Sequence, residues 1–491
     1  MIKKYIFLIL FISLQTAAKG NDEIISMLSA PSVPYGTSQR TLLKQDKIDL
    51  TLQEAIALGL RNNPRIRIAY LDRVTQKFDL KVTNDIFNPQ LALRAGYTIN
   101  TSDQGNVHNT NLVPVASLLT PYGTQFSLSW AQDLNFSDYA DNYRRDGLDL
   151  AIVQPLLKGF GREVNAVPVK QAKINEQINR LRLKSTVSST VSEIIRSYRE
   201  LLRAQERLAI SEAALLRAKD QFSINKSLVD LGRMADFDIV QNEAQIASQE
   251  LALEDALNTL TTSQMRLARV IGVQSDGNIF AGDALVIKPV SIDLEKAFVL
   301  AKTQEPQYLV TLLGGESAAI SLLKAKDNER WELSLAVGAT QQRYQGQGNQ
   351  ANYDWESYAG LQLKIPIGDL NSRQQTMQAQ VNVINQKIDQ DEAKRDLKQR
   401  IDEIFRELGT RWRQYQIALR TVELSKKKLE IEKEKLRLGR SSNFQVISYE
   451  DSLRDSENYR LNTLISYLNA QTELDSVLGM TLESWSVSLN D

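Results

Sequence analysis

The sequence predicts an α+β membrane protein made of two internal repeats, each combining β-strands with a long α-helical hairpin. Three observations lead to this prediction. Landmark residues recur at constant spacing, each half contains long stretches without glycine or proline, and segments between these stretches alternate apolar and polar residues. Long uninterrupted helices are typical of coiled-coil hairpins, and segments of about ten alternating residues are typical of membrane barrel strands.

Composition and charge exclude several classes of protein. The 491-residue chain has 59 basic and 59 acidic residues. This equal number gives no indication of the basic surface that binding nucleic acid requires. It contains no cysteine, which excludes disulfides, thiolate metal sites and thiol catalysis. The one histidine, His108, lies in a polar stretch and is expected to be a solvated loop residue. We therefore expect no catalytic residue, no metal site and no cofactor.

The N-terminus has the features of a secretory signal peptide. Lys3 and Lys4 precede an apolar run at 5–14, and small residues follow it. The run is too short to span a bilayer comfortably, since spanning needs about 20 apolar residues. A short N-terminal anchor is the alternative. No later apolar run reaches spanning length, so we expect an exported mature protein without a transmembrane helix.

Two sets of landmarks define the repeats. The segment 50–64 recurs at 292–306, an offset of 242 residues. The Leu-Gly-Arg motif at 231–233 recurs at 438–440, an offset of 207 residues. The difference of 35 residues lies between residues 98 and 165, where the first repeat is longer and more polar. A duplication with one enlarged loop region explains both offsets.

These landmarks predict five segments along the chain. They are a signal peptide (1–20), an N-terminal extension (21–48), a first repeat (49–280, with strands at about 90–98 and 148–154 and a hairpin at 165–272), a second repeat (281–480, with strands at about 332–341 and 357–366 and a hairpin at 371–479) and a C-terminal tail (481–491).

The hairpin arms are unusually long for a globular protein. Neither glycine nor proline occurs between Val169 and Leu231, and in the second repeat only Gly409 interrupts the ascending arm. At ~1.5 Å per residue the longer arms would extend on the order of 90 Å. Their apolar residues form narrow stripes at helical spacing, which need neighbouring helices on both sides. One chain offers too few helices for this, so the pattern predicts an assembly of several chains.

The strand segments favour a membrane barrel shared between chains. Their lengths suit tilted barrel strands, and aromatic residues lie near their ends, where a girdle at the membrane interface would place them. A few strands cannot close a barrel, and lipid does not tolerate an open edge. Residues 125–131 also alternate and compete with 148–154 for one strand position. The simplest topology takes 148–154 as the spanning strand and 125–131 as part of an extended extracellular hairpin.

Taken together, these motifs resemble the TolC-type outer membrane efflux protein family over residues 48–480. The resemblance rests on the 50–64 opening, the Leu-Gly-Arg motifs, the segment 154–162 (Gln-Pro-Leu-Leu-Lys-Gly-Phe-Gly-Arg) and the ending at 470–479. It implies a homotrimer with a twelve-stranded β-barrel, four strands per chain, continued by a long periplasmic α-helical tunnel.

The resemblance also implies a function and a location. The chain would lie in outer membrane lipid with a large periplasmic part, as the passive exit duct of a tripartite efflux or type I secretion system. Its partners would be a periplasmic adaptor (membrane fusion protein) and an inner-membrane pump. The sequence contains no GxxxxGK[ST] phosphate-binding loop, which agrees with a passive role.

In the family the hairpin turns dock the adaptor and lie beside the closed entrance. Plain turns with solvated arginines are the alternative here. The adaptor-docking candidates are Leu231, Gly232, Arg233 and Met234 in the first tip and Leu438, Gly439, Arg440 and Ser441 in the second.

The entrance residues depart from the family pattern. The archetype has two aspartates just beyond the second tip, whereas this chain has Gln445 and Ser448 there. The first repeat carries Asp238, with Asp236 nearby, and three symmetry-related copies of either aspartate would make a negative constriction. Asp236 could instead be a helix N-cap.

Two other classes of protein remain open. One is a structural coiled-coil surface or periplasmic protein without channel activity, which predicts no lipid-facing strands. The other is an enzyme using carboxylates such as Glu243 and Glu450. These lie on polar helix faces without a pocket signal, so we expect no enzyme.

Overall fold

The computed structural model describes residues 47–232, 234–274, 278–285, 287, 293–346 and 351–489. The predicted signal peptide, nearly all of the predicted N-terminal extension and the tip residue Arg233 lie outside the described residues. The chain divides into two compact units. We call them the helical unit (Met1–Val74, Arg180–Leu309 and Ala393–Asp491) and the sheet unit (Thr75–Asn179 and Val310–Glu392).

The described elements are numbered in chain order. The strands are β1 (Ile48–Leu50), β2 (Gln90–Ser102), β3 (Gly105–Leu119), β4 (Gln125–Ser137), β5 (Tyr143–Pro155), β6 (Ile279–Ala281), β7 (Glu332–Gly346) and β8 (Asn352–Lys364). The helices are α1 (Leu52–Asn62), α2 (Pro64–Asn84), α3 (Arg162–Asn165), α4 (Val167–Asp230), α5 (Asp236–Ile271), α6 (Leu294–Gln304), α7 (Pro306–Asn328), α8 (Leu370–Arg437), α9 (Asn443–Val477) and α10 (Thr481–Ser484).

The helices begin and end where local chemistry favours it. Thr51 caps α1 in a capping box, since its hydroxyl accepts from the Glu54 amide and the Glu54 carboxylate accepts from the Thr51 amide at 2.8 Å. The sequence pattern indicated an interruption of this arm at Gly409, but α8 is a continuous helix of 68 residues that runs through this glycine. Among the described residues, no helix combines the length and apolar content needed to cross a bilayer.

Two apolar clusters form the core of the helical unit. The first joins α4 and α5 through Ile194, Leu201 and Ile271, all fully buried, with α1, β1 and β6 packed against them. The second joins α8 and α9 through Leu397 and Leu474, with α6 packed against them. Each cluster therefore combines a long hairpin with the short helix that begins the same repeat.

A left-handed glycine fixes each hairpin against that short helix. Gly272 after α5 has φ 72°, and a Cβ there would lie 2.6 Å from the carbonyl oxygen of Asn62. Gly479 after α9 also has φ 72°, and a Cβ there would meet the carbonyl of Gln304. The two glycines are 207 residues apart and the two carbonyls 242 apart, so the same contact recurs at both sequence offsets.

The sheet unit contains one antiparallel sheet of six strands in the order β2-β3-β4-β5-β7-β8. The sheet therefore has six strands, two more than the four predicted for each chain. Residues 125–131, expected in an extracellular hairpin, form the first half of β4, and β3 is a strand that the sequence pattern did not predict. The other four strands all begin or end beyond the predicted positions.

Proline and polar residues explain why β3 escaped prediction. Pro114 lies in the middle of β3, where proline argues against a strand because it has no N–H for the ladder. The ladder from β3 to β4 omits Val113 and Pro114, whereas Pro114 stays paired with Leu93 on the β2 side. The first half of β3 is polar, so it lacks the apolar alternation that marks a strand in sequence.

We predict that Gly272→Ala destabilises the helical unit by about 2 kcal/mol or more, because a left-handed alanine costs roughly 1–2 kcal/mol before any clash. The control is Gly439→Ala, which has φ 70° but nothing within 4 Å of the added Cβ. The measurement is the thermal midpoint of the helical circular dichroism signal in detergent. Equal shifts for the two variants would show that the contact with Asn62 adds nothing.

Candidate functional site: the hairpin tips and the two-faced sheet

Both hairpin tips turn through a glycine. Gly232 between α4 and α5 has φ 71°, and Gly439 between α8 and α9 has φ 70°. Nothing lies within 4 Å of a Cβ at either position, so glycine is favoured there by the backbone angle alone. After the second turn, Ser442 caps α9, because its hydroxyl accepts from the Gln445 amide at 3.3 Å.

The tips expose large apolar side chains. Leu231 is 69% exposed and Leu438 64%. Phe237 (69%) and Phe444 (66%) are exposed beside them and were missed in the sequence analysis. The two phenylalanines are 207 residues apart, the offset of the Leu-Gly-Arg motifs, and this spacing was the signal that could have found them. Both tips therefore present an exposed leucine and an exposed phenylalanine.

The other predicted tip residues differ in their surroundings. Met234 packs against the apolar cluster of Leu429, Leu436, Val446 and Leu453 and so supports the tip from inside. Arg440 is exposed. The Ser441 hydroxyl donates to the Glu432 carboxylate at 2.6 Å, and this bond, followed by one from Lys435, lowers the pKa of Glu432.

The entrance candidates lie at the starts of α5 and α9. Asp236 and Asp238 are both in the first turn of α5, where the helix dipole favours negative charge. The N-cap of α5 is Ala235, so the alternative of Asp236 as N-cap is wrong. On α9, Gln445 is partly buried and Ser448 is exposed.

A chain of buried amides joins the two hairpins next to these residues. The Asn443 side chain donates to the backbone carbonyl of Asp238 at 3.2 Å and accepts from Asn225 at 2.7 Å. Gln221 in turn donates to Asn225 at 2.9 Å. Asn225 and Asn443 are almost fully buried. These hydrogen bonds therefore hold the backbone of Asp238 beside the second tip. The Asp238 carboxylate takes no part in them.

Ion pairs make a second link between the hairpins. Glu450 on α9 accepts from Arg217 on α4 at 2.8 Å and from Lys433 on α8 at 2.5 Å. Burial raises the pKa of the neighbouring Glu457, partly opposed by Arg217. Glu450, considered above as a possible catalytic carboxylate, is thus held by two cations.

Among the described residues, no group of three or more histidines, aspartates and glutamates is arranged to hold a metal ion.

The sheet has two chemically distinct faces, because paired residues in neighbouring antiparallel strands point to the same side. What we call the apolar face consists mainly of Leu91, Leu93 and Ile99 of β2, Leu112, Pro114, Ala116 and Leu118 of β3, Phe126, Leu128, Trp130 and Leu134 of β4, Leu148, Leu150 and Ile152 of β5, Leu333, Leu335 and Val337 of β7, and Trp355, Leu361 and Leu363 of β8.

The opposite side, which we call the polar face, carries charged, hydroxyl, amide and small residues. Asp149 on β5 accepts from the Thr340 hydroxyl on β7 at 2.8 Å, and Arg145 donates to Gln342 at 2.7 Å. Val113 and Val115 of β3 are apolar members of this side. A sheet with one apolar and one polar face separates an apolar solvent from water.

His108 lies in strand β3 and not in a loop, contrary to expectation. Its Nδ1 atom is 2.8 Å from the Tyr97 hydroxyl on β2, and the two rings are stacked with centroids 6.1 Å apart. Because Tyr97 lies on the same side of β2 as Leu93 and Ile99, this contact belongs to the apolar face and closes the β2–β3 pair near one end of the strands.

The Gln154–Arg162 motif forms the exit from β5. The Gly159 amide donates to Asp327, whose side chain is almost fully buried, at 3.0 Å. Lys158 pairs with Glu332 at 3.0 Å, and Lys364 pairs with the same carboxylate at 3.1 Å. One carboxylate at the start of β7 thus holds a cation from each side. The motif therefore anchors the end of β5 to β7, β8 and α7.

The fold is that of solved outer-membrane channels. The Campylobacter jejuni CmeC outer membrane channel is 15% identical, with a TM-score of 0.67 over 88% of this chain and 86% of that one. The open state of the Neisseria gonorrhoeae MtrE outer membrane channel is 15% identical (TM-score 0.67, 89% and 90%). The Vibrio cholerae outer membrane protein VceC is 14% identical (TM-score 0.65, 87% and 96%).

Residues 55–273 match the family model described as outer membrane efflux protein. This stretch, somewhat less than half of the chain, is similar to that family, and the solved channels share the fold of the chain. A comparison with curated proteins finds no match.

Proposed function

We propose that the chain is one subunit of a homotrimeric, passive duct that carries small molecules or proteins across the outer membrane. It works with a periplasmic adaptor and an inner-membrane pump in a tripartite efflux or type I secretion system. One observation carries the proposal: the sheet combines an apolar face, a polar face and two unpaired edge strands.

The edge strands require other copies. β2 and β8 each pair with only one neighbour among the described strands, and every residue of both is exposed. Unpaired backbone groups cost several kcal/mol each in lipid, so membrane sheets close on themselves. Since β2 and β8 run in opposite directions, β8 of one copy can pair with β2 of the next, and such head-to-tail contacts generate a ring.

A coiled-coil surface or periplasmic protein without channel activity is the second candidate. It accounts for the long hairpins but leaves the apolar face without a purpose, because exposed apolar surface of this extent is unusual in water-soluble proteins. The two-faced sheet therefore favours the duct.

The first prediction from this proposal concerns location and assembly. Gentle detergent extraction should recover the chain from the outer-membrane fraction as a trimer that migrates as a monomer only after heating. Its solubility should depend on detergent, because the apolar face must stay covered. Recovery as a soluble periplasmic monomer, measured by fractionation and native mass spectrometry, would contradict the proposal.

We further propose that the two tips dock the adaptor through their exposed leucine and phenylalanine side chains and through the arginines of the Leu-Gly-Arg motifs, of which Arg440 is exposed. Aromatic and arginine residues dominate binding energy at protein interfaces. The proposed contact residues are Leu231, Gly232, Arg233, Phe237, Leu438, Gly439, Arg440, Ser441 and Phe444, with Met234 as internal support.

A photocrosslinking amino acid at Phe444 should therefore capture a membrane-fusion-type adaptor in the native host, identified by mass spectrometry. Arg440→Glu should lower the yield of this adduct roughly three- to tenfold, as loss of a charge at an interface rim does, while the trimer yield stays unchanged. The control is position Lys398, exposed on α8 roughly 60 Å along the helix from the tip. Equal adduct yields at 398 and 444 would refute docking at the tips.

We also propose that Asp238, and to a smaller extent Asp236, lines the entrance as a ring of three carboxylates, with Gln445 and Ser448 as neutral neighbours. The carboxylate of Asp238, outside the amide chain beside the second tip, supports this role. Acidic rings favour cations in a pore.

Asp238→Asn should lower the cation-to-anion permeability ratio at least about twofold in planar bilayers, because the ring loses its charge. Asp230→Asn removes an exposed carboxylate from the end of α4 and serves as the control for general surface charge. An unchanged ratio for Asp238→Asn, or the same change in both variants, would reject the ring.

A further inference from the structure

Strands β3 and β4 are long enough to cross a membrane. They contain 15 and 13 residues, whereas a tilted membrane strand needs about 9–11. Each pairs with a neighbour on both sides along most of its length. They are therefore interior strands of the sheet, equivalent in length and pairing to β5 and β7.

The apolar face continues across β3 and β4 without a break. Leu128 of β4 pairs with Ala116 of β3 on one side and with Leu150 of β5 on the other. On the polar face, Ser127 of β4 pairs with Ala151 of β5. β4 thus alternates between the apolar and the polar face at the same positions as β5. If β5 has lipid on one side and water on the other, the same arrangement fits β4.

The turn between β3 and β4 lies at the end of the sheet where β5 leaves for the helices. The turn is closed by a hydrogen bond from the Thr120 amide to the Thr124 carbonyl at 2.9 Å. The Tyr122 carbonyl accepts from the Gly161 amide at 3.2 Å, in the loop that follows β5. Between β2 and β5, strands β3 and β4 therefore run the full length of the sheet and back. A hairpin confined to the extracellular end would not reach the loop that follows β5.

The sheet is staggered as barrel sheets are. One row of paired residues crosses all six strands: Leu91, Ala116, Leu128, Leu150, Ala339 and Ser357. Leu91 is one residue from the start of β2, and Ser357 is seven residues from the end of β8 at the same end of the sheet. Between β2 and β8 the row therefore shifts by six residues along the strands while it crosses five strand-to-strand steps. This shift corresponds to a strand tilt of about 40°, within the range of closed barrels.

We propose that β3 and β4 cross the outer membrane as barrel strands, so that three copies close an 18-stranded barrel. The inference rests on the proposed trimeric duct. At a tilt of ~40° the barrel would be roughly 36 Å across between backbones, against roughly 24 Å for twelve strands. On the polar face, β4 and β5 contribute small residues such as Ser127 and Ala151, which project little into the interior. Such a barrel admits solvated cargo, including polypeptide, up to roughly 25 Å wide once side chains are allowed for.

The test uses single spin-labelled cysteines, since the chain has no cysteine of its own. Leu128→Cys and Ser127→Cys place labels on the two faces of β4, and Leu150→Cys and Ala151→Cys place matched controls on their paired positions in β5. In proteoliposomes, labels at 128 and 150 should be accessible to oxygen from the lipid. Labels at 127 and 151 should be accessible to a water-soluble nickel reagent, with contrasts that agree within about twofold between the strands.

Two outcomes of this test would overturn the inference, and they differ. If 128 and 127 are equally accessible to nickel while 150 and 151 keep their contrast, β4 lies outside the membrane and the trimeric duct stands. If all four positions lack oxygen accessibility, the chain is no membrane duct and the proposed function fails as well.

The number of strands is tested by joining the edges of neighbouring copies. If the same shift continues from β8 of one copy to β2 of the next, Ser357 pairs with Tyr97 or Ile99. Both of these residues lie on the apolar face, as Ser357 does, and the apolar face must stay continuous between copies. Ser357→Cys combined with Tyr97→Cys or with Ile99→Cys should give a disulfide-linked ladder that ends at three copies. Ser357→Cys with Thr98→Cys points the thiols to opposite faces and should give no ladder. A ladder ending at two copies would mean twelve strands and would overturn the 18-stranded barrel.

Discussion

The hydrogen-bonding groups along the edges of β2 and β8 are the constraint on which the proposed assembly depends. Six strands of one chain satisfy each other's backbone groups but leave one row open at each edge. In water such a row can be solvated, whereas in hydrocarbon it must be paired with another strand. The apolar face brings the sheet into lipid, and the open edges then require further copies. Oligomerisation is thus a consequence of membrane insertion in the proposed duct.

The helical unit meets a different constraint, because its long helices carry narrow apolar stripes. Apolar clusters hold each hairpin to the short helix of its own repeat. Nearer the tips, Met234 of the first hairpin packs against an apolar cluster of the second, and polar groups add further contacts, notably the Asn225–Asn443 bond and the two cations on Glu450. Buried polar pairs of this kind add little net stability but specify one register, since any slip leaves a donor or a charge without its partner.

Several parts of this architecture could be predicted from the sequence because they depend on local spacing. The offsets of 207 and 242 residues located the tips, and the structure shows the same contact at Gly272 and Gly479. Long stretches without glycine or proline predicted the helices. Phe237 and Phe444 share the 207-residue offset, yet exposure of an aromatic residue is a property of packing that spacing alone does not indicate.

The repeats, the long hairpins, the glycine turns and the alternation of four strands could all be predicted from the sequence, because each depends on residues close together along the chain. The pairing of β3 and β4 within the sheet, the stacking of His108 on Tyr97 and the place of Ala235 at the N-cap position of α5 became evident from the folded structure alone. Pro114 and the polar start of β3 hide a strand in local sequence. Their pairing becomes favourable only when β2 and β4 lie alongside, because ladder hydrogen bonds and cross-strand contacts form between residues distant in the chain.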